Sequence, residues 1–249
     1  QIANKEFPRA LLSDEGNGDH ALISTTEPYQ LSSQWTGQFS KNDLKVININ
    51  NGISKIAILG NPSTARLSPK GKYAYGYNQY DSTWYTYNIE TSKYTELTKG
   101  KVFYNELSDY PDYPRSYGSA GWTKDDKTIF IYDRYDIWEF NPRSGDGKRL
   151  TRGREIKTSF RYIKLDPEER FIQTSDKIIM ATFNEISKNG GYFEYNHKKN
   201  SGKDLINGPY RYSRPIKARI NDKIIYTKQS FQEFPDIIGS DLSFEENKK

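Results

Sequence analysis

Cysteine is absent from this 249-residue chain, methionine occurs once and histidine only twice. The missing cysteines exclude a disulfide scaffold, thiol catalysis and cysteine-rich zinc sites. His20 and His197 are the only imidazoles, and they lack the close spacing of a histidine metal site. Long hydrophobic runs are missing too. The longest purely aliphatic stretch is Ile56 to Leu59, far short of the roughly 20 residues of a bilayer-spanning helix. Blocks of one charge are also lacking: 37 Lys+Arg stand against 32 Asp+Glu, a net +5, with the two signs interleaved. That balance serves solubility and carries no nucleic-acid footprint. Neither nucleic acid nor a membrane is expected as a partner, and no metal or other cofactor is expected. The chain opens at Gln1 with neither Met nor an apolar h-region, which reads as a processed chain or an excised fragment.

What the chain does hold is aromatic. Only 34% of residues are apolar, and they include 20 Tyr, 12 Phe and 4 Trp. A core built on aromatic and β-branched side chains favours strands over helix bundles, which draw on Leu and Ala. Period-2 alternation dominates accordingly, and no long stretch has helical periodicity. Lys45 to Ile49 runs into Asn50-Asn51-Gly52 and on to Ile53 to Ile58, a hairpin signal because Asn and Gly tolerate positive φ. Lys72 to Tyr77 follows the turn Ser68-Pro69-Lys70-Gly71 and alternates tyrosines with small residues.

The chain then repeats itself. Arg66 to Tyr73 is echoed by Gly121 to Thr128, by Lys164 to Phe171 and more faintly by Arg219 to Ile224. With Gly71, Asp126, Glu169 and Asp222 as equivalents, the steps are 55, 43 and 53 residues. Leu97-Thr98-Lys99-Gly100 and Leu150-Thr151-Arg152-Gly153 lie 53 apart, and Trp84 and Trp138 lie 54 apart. A period of about 40–55 residues holding several short strands is the signature of a β-propeller, one four-stranded antiparallel blade per repeat. The expected architecture is all-β with about five blades, at 1–60, 61–115, 116–160, 161–215 and 216–249. Whether they form part of a larger propeller or a small closed one stays open.

The stretch Trp122 to Lys127, Tyr132 to Trp138 and Arg149 to Gly153 resembles a TolB-type propeller blade. Such blades also occur in serine peptidases of the prolyl oligopeptidase family, including dipeptidyl-peptidase-like members. Phe7 to Ser13, Tyr117 to Trp122, Tyr132 to Trp138 and Ser230 to Asp236 resemble a Bacteroidetes-type branch of that family. The resemblance implies the later part of a propeller, cut before the α/β-hydrolase domain. That domain is expected to be absent here, since no Gly-x-Ser-x-Gly elbow occurs; Gly118-Ser119-Ala120-Gly121 has Tyr117 in place of the first glycine. It further implies a propeller that covers the active site and positions short peptides, with the hydrolase domain of the same gene product as partner and a periplasmic or otherwise exported location. No catalytic residue is expected in this chain. A stand-alone propeller scaffolding proteins in the cell envelope is the alternative; a continuation of the gene holding the elbow decides between them.

Several residues carry candidate binding chemistry. Tyr104 to Tyr117 is too long for a tight turn, is stiffened by Pro111 and Pro114, and offers Tyr110, Tyr113, Arg115 and Tyr117 as contacts to substrate or to the hydrolase domain. Arg115 suits a carboxylate. Arg134 and Asp136, in the Asp133-Arg134-Tyr135-Asp136 hairpin, are candidates for binding or for turn and inter-blade pairing. Glu168-Glu169 reads as turn chemistry, His20 and His197 as loop histidines, and the ladders Tyr73, Tyr75, Tyr77 and Tyr85, Tyr87 as one blade face packing on the next.

Overall fold

The computed structural model describes residues 2–36, 41–62, 64–175 and 177–244. Among these, twenty strands form five antiparallel sheets. The first joins β1 (Arg9–Leu12), β2 (His20–Thr25), β3 (Asn42–Asn48) and β4 (Ser54–Asn61) in chain order. The second joins β5 (Arg66–Leu67), β6 (Tyr73–Asn78), β7 (Thr83–Asn88) and β8 (Tyr94–Glu96), and the third β9 (Ser119–Trp122), β10 (Ile129–Tyr132), β11 (Ile137–Phe140) and β12 (Gly147–Arg149). The fourth is β13 (Thr158–Tyr162), β14 (Lys177–Asn184), β15 (Gly190–Asn196) and β16 (Ser201–Gly208). Such sequential four-stranded meanders are propeller blades, and the all-β expectation holds.

The fifth sheet departs from the expected four-strand width. It comprises β17 (Arg211–Tyr212), β18 (Ile216–Lys217), β19 (Lys223–Gln229) and β20 (Asp236–Asp241). Lys228 pairs with both Tyr212 and Asp236, while Ile225 pairs with both Ile216 and Gly239. β17 and β18 therefore lie end to end along one edge of β19, with β20 on the other, and the sheet is three strands wide. Pro215, which has no N–H to give a ladder, interrupts what would otherwise be one edge strand.

Turn chemistry explains the repeats. Gly71, Asp126 and Glu169 each fall between the first and second strands of a sheet, and Asp222 falls between β18 and β19. Gly71 and Asp126 adopt positive φ, +67° and +54°. The Asn50–Gly52 hairpin forms as expected, with Gly52 at φ +72°. The tryptophan marker is shifted by one residue. Trp84 N–H donates to Thr98 Oγ1 and its carbonyl accepts from Leu97; the same two bonds join Ile137 to Thr151 and Leu150. Ile137, not Trp138, is thus the counterpart of Trp84, and Trp138 projects from the opposite face of its strand, as period 2 demands. A short helix, α1 (Gln30–Thr36), interrupts the first sheet and leaves Leu31 and Trp35 exposed; it is too short for a periodicity signal.

The chain divides into two compact units, residues 1–133 with 139–148, and residues 134–138 with 149–249. In the first, Leu22, Leu44, Val46, Ala74, Tyr87 and Ile89 form a core between the first two sheets. Tyr73 stacks on Trp122 with centroids 5.5 Å apart, and Tyr75 meets the same indole edge-on at 5.2 Å. Tyr73, Tyr75 and Tyr87 thus pack one blade on the next, whereas the rings of Tyr77 and Tyr85 meet Trp84 and Tyr94 of their own sheet. In the second unit, Ile163, Ile179, Tyr192, Ile224, Tyr226 and Ile238 do the same for the fourth and fifth sheets. Burial pushes the Tyr226 phenol up to about 12.

Candidate functional site

In the first unit the connection 104–117 folds back on itself and onto the second sheet. Asn105 N–H donates to the Arg115 carbonyl at 2.7 Å, Tyr104 bridges to Ser116, and the Glu106 N–H donates to the Tyr117 hydroxyl at 3.0 Å. Gln79 Nε2 donates to the Tyr113 carbonyl at 2.7 Å and the Tyr77 hydroxyl to the Pro114 carbonyl at 3.2 Å. Tyr80 meets Tyr113 edge-on at 4.7 Å. Proline supplies no donor, but its carbonyl still accepts, so the stiff segment is pinned through its oxygens. Tyr110 stands out at the tip, 78% exposed.

Between this connection and β5–β7 lies a cavity of about 490 Å³, walled by Arg66, Tyr75, Tyr77, Trp84, Arg115 and Ser119 among others. Arg66 and Arg115 are exposed, whereas Trp84 is only 7% exposed and its indole Nε1 has no acceptor among the described residues. Burial pushes the Tyr75 hydroxyl above the ordinary tyrosine value, and the adjacent Arg66 guanidinium partly reverses this. The cavity offers cationic donors at its mouth on aromatic walls, suited to binding an anionic group. Of the residues expected from sequence it gathers Arg115. It adds Arg66, Gln79 and Trp84, whose convergence no local motif announces.

The other two candidates belong to the second unit, where each is engaged internally. Arg134 holds Glu185 through Nε at 3.2 Å and a terminal nitrogen at 2.7 Å, and lies over the Tyr135 ring at 5.0 Å. Tyr135 donates to the same carboxylate at 2.7 Å. The hydrogen bonds from Arg134 hold the Glu185 carboxyl below the usual carboxylate range. Asp136 is fully buried and accepts from Thr151 Oγ1 at 2.6 Å and from the Gly153 and Arg154 N–H groups at 2.5 and 3.2 Å. Its carboxylate holds the Leu-Thr-Arg-Gly turn against the start of β11 and presents no face to a ligand.

A second cavity, about 900 Å³ and confined to the second unit, is lined by Glu168, Glu169, Lys217 and Asp222 among others. Its charges compensate one another: Lys217 pairs with Asp222 at 3.3 Å, Arg219 with Glu168 at 3.5 Å, and Tyr162 donates to Glu169 at 2.9 Å. Glu168 N–H also donates to Asp166 Oδ1, the side-chain turn expected of Asp-Pro-Glu-Glu. Among the described residues no three His, Asp or Glu side chains come close enough to hold a metal, and no helix is long and apolar enough to cross a membrane.

Solved structures share this fold. A putative dipeptidyl aminopeptidase IV from Bacteroides ovatus aligns over 96% of this chain and 38% of its own, with 14% identity and a TM-score of 0.58. Dipeptidyl peptidase 4 from Porphyromonas gingivalis aligns over 99% and 40%, with 11% identity and a TM-score of 0.57. TolB from Acinetobacter baumannii is a looser match, 14% identical over 85% of this chain and 54% of its own, at a TM-score of 0.42. The likeness is one of fold. The chain spans well under half the length of the two peptidases. No family profile and no curated protein matches the sequence.

Proposed function

We propose that this chain is the propeller part of a serine peptidase of the prolyl oligopeptidase family, covering the active site of an α/β-hydrolase domain in the same gene product. The observation that carries the reading is the fold match over 96–99% of this chain to only 38–40% of two dipeptidyl peptidases. The TolB-like blade motifs and the lack of any Gly-x-Ser-x-Gly fit the same division of labour. In this role the propeller excludes folded proteins and admits short peptides. It holds them by contacts remote from the serine, so that binding energy contributes to orientation at the reacting carbonyl. The exported location implied by the sequence resemblance belongs to the same proposal.

The test is the natural gene product. A polypeptide much larger than this chain, labelled by a fluorophosphonate serine probe and recovered from the periplasmic fraction, is the expected result. An unlabelled product of this size overturns the reading.

A further inference from the structure

The cavity beside β5–β7 carries positive charge that no lining residue neutralises. Two of its eleven lining residues are arginines and none is acidic. Among the described residues neither Arg66 nor Arg115 has a carboxylate partner. Three arginines of the second unit are held by carboxylates: Arg134 by Glu185, Arg149 by Glu155 and Arg219 by Glu168. Two guanidinium groups without carboxylate partners line one cavity, with Arg66 beside the Tyr75 hydroxyl, and an anion between them would offset their like charge. Trp84 also lines the cavity, although its Nε1–H is enclosed by protein and is not a donor to a bound ligand.

We propose that this cavity binds the carboxylate of a short peptide, with Arg66 and Arg115 as its charge partners. The planar guanidinium fork matches a carboxylate with two parallel N–H···O bonds, which a lysine ammonium does not reproduce. The walls suit the rest of such a ligand. Tyr75 and Tyr77 supply apolar ring surface, and Gln79, Ser116 and Ser119 supply hydrogen-bonding edges for a peptide unit. About 490 Å³ lies within the range of small-ligand sites. The backbone that carries Arg115 is held before binding, because its own carbonyl and those of Tyr113 and Pro114 are tied down; less main-chain ordering then remains to be done on association. The carboxylate chemistry stands on these residues alone, whereas the peptide as its carrier rests on the proposed peptidase role.

The experiment titrates the full chain with acetyl-Ala-Ala bearing a free C-terminus, with its C-terminal amide, and with acetyl-glutamate amide. Calorimetry reports affinity and tryptophan fluorescence reports the neighbourhood of Trp84. At least one acid probe is expected to bind about tenfold or more tighter than the neutral amide, and to weaken as salt rises. Tighter binding of the free C-terminus identifies the peptide terminus as the source of the carboxylate; tighter binding of the glutamate probe identifies an acidic side chain. Arg66→Ala and Arg115→Ala should each weaken binding about tenfold, the Lys variants should restore part of it, and Trp84→Phe should remove the fluorescence response. Both arginines are exposed, so unchanged circular dichroism and melting temperature separate lost binding from lost folding. Equal affinity for acid and amide, no binding of either acid at millimolar concentration, or binding indifferent to both Arg→Ala variants overturns the proposal. These readouts need no hydrolase. An unlabelled gene product that still binds acid peptides sinks the peptidase role alone, and a labelled peptidase indifferent to both arginines sinks the carboxylate site alone.

Discussion

At the scale of single residues, what distinguishes the arginines of this chain is who neutralises them. Arg134 makes a two-pronged contact with Glu185, reinforced by the Tyr135 hydroxyl. Because the folded state holds the Glu185 pKa below its unfolded value, the pair contributes stability at neutral pH. That contribution is intact above the ordinary glutamate pKa of about 4.3 and is lost as pH falls through the lower folded value. The pair is partly exposed, so its worth is about 1 kcal/mol or less. The stability difference between the native chain and Glu185→Gln is therefore expected to be constant from pH 7 to about 5 and to shrink below about 4. Urea unfolding across that range measures it, and a difference that grows on acidification contradicts the account. Asp133-Arg134-Tyr135-Asp136 is visible in the sequence as a charged hairpin, but Glu185 lies 51 positions beyond Arg134. Whether such a hairpin binds a ligand or its own fold depends on a partner that only the folded chain supplies.

Among elements, the turn between the first two strands of a blade is the recurring device. Asp126 in the third sheet's turn is buried, and its carboxylate accepts from Ser68 Oγ at 2.5 Å and from the Lys70 and Lys72 N–H groups at 3.1 and 3.3 Å, all in the equivalent turn of the second sheet. One carboxylate thereby satisfies donors that the tight β5–β6 turn leaves unpaired. Asp126→Ala strands those donors and should cost about 2–4 kcal/mol, while Ser68→Ala removes a hydroxyl that donates to Asp126 and accepts from the Tyr73 N–H and should cost about 1–2 kcal/mol. Chemical denaturation of both variants tests the order, and a larger loss for Ser68→Ala would refute the latch. These turns are what made the repeat legible, because Pro, Gly and Asp at fixed offsets are demanded by local backbone geometry. Register across strands is not demanded locally, which is why Trp84 and Trp138 look equivalent yet stand one residue out of phase.

For the whole molecule, the fifth sheet ends the described chain with one apolar face turned outward. Ile216, Ile225 and Ile237 lie on the same side of the sheet by their pairing, and are 66%, 50% and 67% exposed, while Ile224, Tyr226 and Ile238 on the other side are buried. An aliphatic patch of this kind on a sheet favours dye binding and association. The full chain is expected to bind an anilinonaphthalene dye in its native state, and Ile225→Lys with Ile237→Lys to abolish most of that signal without lowering the melting temperature. Dye fluorescence unchanged by the double variant would show that the patch is not the binding surface.

Composition, strand alternation and turn spacing were enough to establish an all-β chain of repeated blades, because each follows from forces acting within a few residues: β-branched and aromatic side chains on a pleated strand, Gly and Asp where φ turns positive. The tertiary structure decided everything that depends on which distant residues meet. It narrowed the fifth blade to three strands, set Tyr73 and Tyr75 on Trp122, and engaged Arg134 and Asp136 within the protein. It also brought Arg66, Trp84 and Arg115 to one cavity. Charge satisfaction is a three-dimensional property, and a sequence records the charges without recording who stands beside them.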